Sequence, residues 1–221
     1  MRSTHILAGI ASAGLVAASL VMGAPASAAS VNGTGGDDHL RGTPSSDTIR
    51  GFGGNDHVYA LAGADLIGVG SGHDNVVAGR GDDTIRGATL GDELRGGLGD
   101  DTISGGAGGD GIFGDAGSDV LLGGATGDYL FDGPGADTIH GGLGDDYVVL
   151  AEDGTPDTVT CGPGKDQVWG ATGGNTVAAD CEDVHVEPPG CGCDPRLSVG
   201  PPLAATPEPV RAQVRDTGPG R

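Results

Sequence analysis

Carboxylates set at a fixed interval are the residues of this chain most able to do chemistry. Asp38, Asp47, Asp56, Asp65, Asp74, Asp83, Asp92, Asp101, Asp110, Asp119, Asp128, Asp137 and Asp146 follow one another nine residues apart. After a two-residue insertion, Asp157 and Asp166 resume the step, and Asn175 takes the place after them. An aliphatic side chain stands two residues after each of the thirteen, from Leu40 and Ile49 to Ile139 and Val148. Carboxylates at such a spacing, separated by glycine whose neighbouring carbonyls are free to turn toward a ligand, suit a hard cation that takes oxygen donors. General acid–base catalysis is a poorer match. Adjacent acids such as Asp82-Asp83 and Asp100-Asp101 resemble a glycosidase dyad only superficially, and no nucleophile elbow, HExxH or activated cysteine is found. We expect no enzymatic site; a hydrolase acting on the repeat itself is the weakest reading.

A fixed period implies a repeat architecture, in which each unit is one small structural element. The units Gly96-Gly97-Leu98-Gly99-Asp100-Asp101-Thr102-Ile103-Ser104 and Gly141-Gly142-Leu143-Gly144-Asp145-Asp146-Tyr147-Val148-Val149 resemble the hemolysin-type (RTX) calcium-binding nonapeptide GGxGxDxUx. The resemblance covers about two-thirds of the chain and implies an all-β parallel β-roll. Each nonapeptide would give a turn and a short strand, and two would complete one coil. The x–aliphatic–x triplet then sends one side chain inward and two outward. Residues eighteen apart stack at roughly 4.8 Å. The aspartates fall into two rows, one from Asp38 to Asp146 and one from Asp47 to Asp137. The resemblance further implies calcium between successive turns. Those rows leave up to about eleven gaps, while Asp157 and Asp166 would extend them. Magnesium, which prefers a tight octahedron and keeps its waters, fits less well.

Composition supports this picture. The chain has 221 residues, a formal net charge of −20 and 47 glycines, the glycine share being roughly three times the usual 7% or so. Residues 33–185 hold 27 Asp and Glu against 6 Lys and Arg. Such a body repels nucleic acid and anionic lipid and attracts cations. One aliphatic per nine residues makes a thin core, so an outside source of stability is expected, and bound calcium is the natural one. Several turns depart from the pattern: Pro44 and Ser45, Ala60-Leu61-Ala62, and Leu90 and Thr126 at the fourth-position glycine.

The ends read differently. Residues 1–28 have the form of an export signal, with Arg2 and His5, an apolar run from Ile6 to Met22, and Ala26-Ser27-Ala28 as a cleavage site. A secreted, extracellular protein with no membrane span after cleavage is expected. Residues 29–32 form a short leader, 33–149 the regular repeat, 150–186 degenerate repeats and a C-terminal cap, and 187–221 a Pro-rich flexible tail. Of the four cysteines, Cys161 and Cys181 are the preferred disulfide because they would clamp the worn end of the repeat. No pairing is assigned to Cys191 and Cys193.

The outward positions gather most of the aromatic residues. Tyr59, Phe113, Tyr129, Phe131, Tyr147 and Trp169 fall on one outer sheet, whereas Phe52 sits in a turn. This stripe is a candidate contact face for an extracellular glycan or protein. The functional expectation is a secreted, non-enzymatic protein that folds on extracellular calcium and serves as a structural or adhesive module. The alternative is a glycan- or protein-binding adhesin in which calcium is purely structural.

Overall fold

The computed structural model describes residues 27–171 and 174–186. The expected export signal, except Ser27 and Ala28, lies outside them, as do the tail, Cys191 and Cys193. The chain winds as a solenoid of about nine coils with two nine-stranded parallel sheets. One sheet stacks β1 (Ser30–Asn32), β3 (Thr48–Gly53), β5 (Leu66–Ser71), β7 (Thr84–Thr89), β9 (Thr102–Ala107), β11 (Val120–Ala125), β13 (Thr138–Leu143), β15 (Thr158–Thr160) and β17 (Thr176–Val177). The other stacks β2 (His39–Arg41), β4 (His57–Ala62), β6 (Asn75–Arg80), β8 (Glu93–Leu98), β10 (Gly111–Ala116), β12 (Tyr129–Phe131), β14 (Tyr147–Val149), β16 (Gln167–Trp169) and β18 (Asp183–His185). Consecutive strands alternate between the sheets, so each neighbour in a sheet is one full coil away.

The register follows from the period. Ile85 pairs with Ile103 and Leu94 with Ile112, eighteen residues on in both cases. Each aliphatic therefore stacks on its own kind, and the two columns face each other across the interior. Leu40, Ile49, Ile85, Leu94, Ile112 and Ile139 are buried with the rest of the column. This is the inward half of the pleat, while the residues flanking each aliphatic face outward.

Three features differ from a simple turn-plus-triplet unit. Many strands run six residues, because the ladder continues beyond the triplet into the next unit, as Phe52↔Gly70 and Gly53↔Ser71 show. Phe52 thus belongs to β3 and not to a turn, with a left-handed φ of 76°. The leader is also a strand: Val31, nine residues before Leu40, is buried and pairs with Ile49. Ala29 stands where the aspartate would be, which hides this first unit from a search for carboxylates.

At the other end the degenerate repeats continue the coil. The two-residue insertion shifts the step to twenty, with Thr138↔Thr158 and Val148↔Val168 paired. The last even step shortens to sixteen, Trp169↔His185. Cys161 and Cys181 are joined, their Cα atoms 5.2 Å apart, and tie these last coils together.

Candidate metal centre

The sixth position of each nonapeptide comes just before a strand, where the chain rounds the edge between sheets. There the aspartate side chain turns inward. All fifteen aspartates picked out by the period are buried, and Asp132 is the one further buried carboxylate among the described residues. They form two rows because the strands they precede alternate between sheets.

Within each row one oxygen is used by the fold itself. The N–H of Asp83 donates to Asp101 Oδ1 at 2.7 Å, and the N–H of Asp101 donates to Asp119 Oδ1 at 2.7 Å. On the other edge Asp92 donates to Asp110 and Asp110 to Asp128, each at 2.8 Å. The insertion does not break the rows: Asp137 donates to Asp157 Oδ1 at 3.0 Å and Asp146 to Asp166 Oδ1 at 2.9 Å. Each ladder ends on a substitute acceptor. Asp157 donates to Asn175 Oδ1, and Asp166 donates to Glu182 Oε2. The carboxylate at position six is therefore a backbone cap as well as a charge.

The second oxygen is different. Oδ2 of twelve of the fifteen row aspartates, from Asp56 through Asp146 and Asp166, is buried with no hydrogen-bond partner. A buried carboxylate oxygen left so is costly. In the first coil the structure supplies a protein partner: Thr34 N–H and Oγ1 donate to Asp38 Oδ2, and Thr43 N–H donates to Asp47 Oδ2. Threonine stands at position two there, where most later units have glycine.

The unpartnered oxygens lie against position one of the same nonapeptide. A Cβ on Gly96 would fall within 3.0 Å of both Asp101 Oδ2 and the carbonyl oxygen of Gly114 in the next coil. Gly51, Gly87, Gly105, Gly114, Gly123 and Gly141 have the same surroundings: the aspartate five residues on and a carbonyl eighteen to twenty on. Glycine is needed there because carboxylate and carbonyl oxygens from two coils crowd its Cα and leave no room for a side chain. All-oxygen donors from neighbouring turns are what calcium takes, at about 2.3–2.6 Å. The residues present fit a calcium ion there.

Position one is not always glycine. Ala60, Val69 and Ala78 occupy it before Asp65, Asp74 and Asp83, and these side chains are fully buried in the core. A methyl or isopropyl group stands there, at the position where a Cβ on the glycine of other units would meet the carboxylate.

Burial sets the acidity of the rows. Asp92, Asp101, Asp128 and Asp137 are pushed up to about 7, first by loss of solvent and then by the stacked carboxylates, against the pull of the N–H on Oδ1. Asp119 and Asp146 are raised to about 6 for the same leading reason. Among the described residues the ion pairs are Arg95–Asp115 and His185–Asp183, neither in a row. Among the described residues no ion pair neutralises these carboxylates.

Asp132 is the buried acid that the nine-residue period passes over. It occupies position one of its unit, where other units have glycine or an apolar residue. The signal was present as a carboxylate in a glycine register, but it appears once and has no period.

The six outer aromatics lie on the even sheet, and five of them form two groups. Phe113 and Phe131 stack at 4.9 Å, and Arg95 covers Phe113 at 4.5 Å while pairing with Asp115. Tyr129, Tyr147, Trp169 and His185 continue as a chain of ring contacts, closing with Trp169 on His185 at 3.8 Å. Tyr59 stands apart, separated in its column by Val77 and Arg95.

Four stretches, residues 32–67, 69–89, 87–121 and 122–153, match the family described as the RTX calcium-binding nonapeptide repeat, together more than half of the chain. No curated protein matches it.

Proposed function

Because the chain belongs to the RTX calcium-binding nonapeptide repeat family, we propose that it is a secreted, non-enzymatic calcium-binding roll whose folding is completed by extracellular calcium, and that it acts as a structural or adhesive module. The observation that carries this reading is the pair of rows of buried, unpartnered aspartate oxygens. Stacked carboxylates without counter-charge oppose folding, and ions bound only by the folded form reverse that. We assign the ions first to the turns with glycine at position one, served by Asp56, Asp92, Asp101, Asp110, Asp119, Asp128 and Asp146. The remaining row members, Asp38, Asp47, Asp65, Asp74, Asp83, Asp137, Asp157 and Asp166, complete the ladders. Secretion is supported by the form of residues 1–28 and by the Cys161–Cys181 disulfide, which suits an oxidising compartment.

The test is circular dichroism of the mature chain during a calcium titration. A β signal that grows with calcium and collapses in chelator is expected. Full β structure already present in chelator would contradict folding on calcium.

A second reading rests on the even sheet. Tyr129 is about half exposed on the sheet that carries the packed Phe113–Phe131 pair, and Tyr59 is about half exposed further along it. Flat rings held rigid by the sheet suit stacking on sugar rings or on a protein partner. In that reading calcium is purely structural and the face does the binding. Replacing Tyr129 and Phe131 with Ser should abolish retention on extracellular glycan while leaving the calcium titration unchanged. Unaltered retention in that variant would remove the aromatic face from the account.

A further inference from the structure

Asp132 brings a carboxylate to a point in the roll where the backbone register changes. Its carbonyl oxygen faces Gly114 and the Asp119 turn in the coil before. Its side chain enters the turn of Asp137. Oδ1 accepts from the N–H groups of Gly133 at 2.6 Å and Ala151 at 2.8 Å, so that oxygen is held by the backbone. Oδ2 is buried and has no partner.

Two row members close around it. Asp137 uses Oδ1 to accept from Asp119 at 2.6 Å, and its Oδ2 is likewise buried and unpartnered. Asp157, one coil on and beyond the two-residue insertion, accepts from the N–H of Asp137 through Oδ1. One oxygen from each of the three carboxylates lies within 4.8 Å of the other two, and all three residues are at most 2% exposed. Neither ion pair among the described residues involves them. Burial, followed among the charges by Asp157 and Asp137, holds Asp132 at about 7.

We propose that Asp132, Asp137 and Asp157 form a three-carboxylate site for a calcium-sized divalent cation, different in kind from the glycine turns and tighter than them. The proposal rests on the calcium-binding reading above. At a glycine turn the side chains facing one ion come only from position six, and carbonyls make up the rest. Here a third carboxylate stands at position one, and affinity rises with ligand charge. Oxygens bound to one calcium at about 2.3–2.6 Å can lie up to about 5 Å apart, whereas magnesium bonds of about 2.0–2.1 Å limit them to about 4 Å. A spacing within 4.8 Å admits calcium, and the absence of nitrogen and sulfur donors favours a hard, oxygen-seeking cation. The location gives the site a structural task. It joins the regular coil at Asp137 to the inserted coil at Asp157, where the step changes from eighteen to twenty residues.

The test uses the full chain, calcium alone, and isothermal titration with Asp132→Asn and Asp132→Gly. Asn keeps an oxygen for the Gly133 and Ala151 N–H groups while removing the charge. Gly restores the residue of the other metal turns. Both variants should weaken the tightest step at least tenfold or lose one ion, with the remaining steps intact. The same number of ions at the same affinities in both variants would overturn the site and leave the family reading standing. No calcium binding in the wild-type chain would overturn both. Terbium luminescence of the wild-type chain gives a check that needs no variant: one ion should be taken up at a concentration at least tenfold below the others, and a single undivided phase counts against the site.

Discussion

The backbone N–H of Asp101 donates to Asp119 Oδ1 one coil away at 2.7 Å, while Asp119 Oδ2 stays buried without a partner. One side chain thus closes the ladder with one oxygen and offers the other to a cation. The two roles make the loss of a row aspartate depend on what stands at position one.

Asp101 has Gly96 at that position and Asp65 has Ala60. Asp101→Ala should therefore weaken calcium-induced folding more than Asp65→Ala, by at least threefold in the calcium midpoint. Both variants should lose a similar stability in the ladder, about 1–3 kcal/mol for an N–H left unpaired. Gly96→Ala should raise the midpoint without replacing any carboxylate, since its methyl would meet Asp101 Oδ2. Equal midpoints for the two Asp variants would remove the distinction between turns.

Leu90 holds a left-handed φ of 71° at the fourth position, where most units have glycine, and its side chain is exposed. Such a conformation costs an L-residue about 1–2 kcal/mol, and glycine gives back about 0.5–1 kcal/mol through its freer unfolded chain. Leu90→Gly should stabilise the calcium-loaded roll by about 0.5–1 kcal/mol. Leu98→Gly, at a similarly exposed strand residue with no left-handed φ recorded, should destabilise it. Urea unfolding at saturating calcium measures both, and a loss of stability at Leu90 contradicts the strain argument.

The row carboxylates from Asp56 to Asp166 bind protons more tightly in the folded chain than in the unfolded one. Asp101 and Asp128, raised to about 7 by burial, ionise near 3.8 when exposed. Between those values the folded state holds more protons, so metal-free stability is greatest below about 4 and is lost as pH rises toward 7. Calcium acts in the opposite direction, because it displaces those protons, and its midpoint should fall between pH 5 and pH 8. Dichroism of the dialysed, metal-free chain from pH 4 to pH 8 reads the first effect. A metal-free β signal that strengthens over that range would reverse the assignment.

The Cys161–Cys181 bridge spans twenty residues at the end of the solenoid. Closing a loop of that size contributes about 3 kcal/mol, and in a stacked repeat the effect stays near the bridge. Reduction should open the coils formed by β15 to β18 to hydrogen exchange while β5 to β11 remain protected. Uniform deprotection along the roll would show that the ends and the middle unfold as one unit.

The family resemblance implied the all-β roll with two units per coil, and within it the nine-residue period determined both aspartate rows and the sorting of aromatics onto one sheet. It could do so because a solenoid translates sequence position directly into height and face. Every residue at one register position meets the same surroundings. The sequence also singled out Cys161 and Cys181, since that pair would clamp the worn end of the repeat.

What the period could not express was decided by contacts between coils. Ala29 masked the first strand because the fold needs Val31 inside more than it needs a carboxylate before it. The division of each carboxylate into a ladder oxygen and an unpartnered one arises only when the N–H of one coil meets the side chain of the next. Position one mattered for the same reason: Gly96, Ala60 and Asp132 look like ordinary variation along the chain, yet each sits against the aspartate five residues on. Stacking turns that variation into a glycine crowded by oxygens, a buried methyl and a third carboxylate, because burial leaves no solvent to take the place of a missing or added side chain.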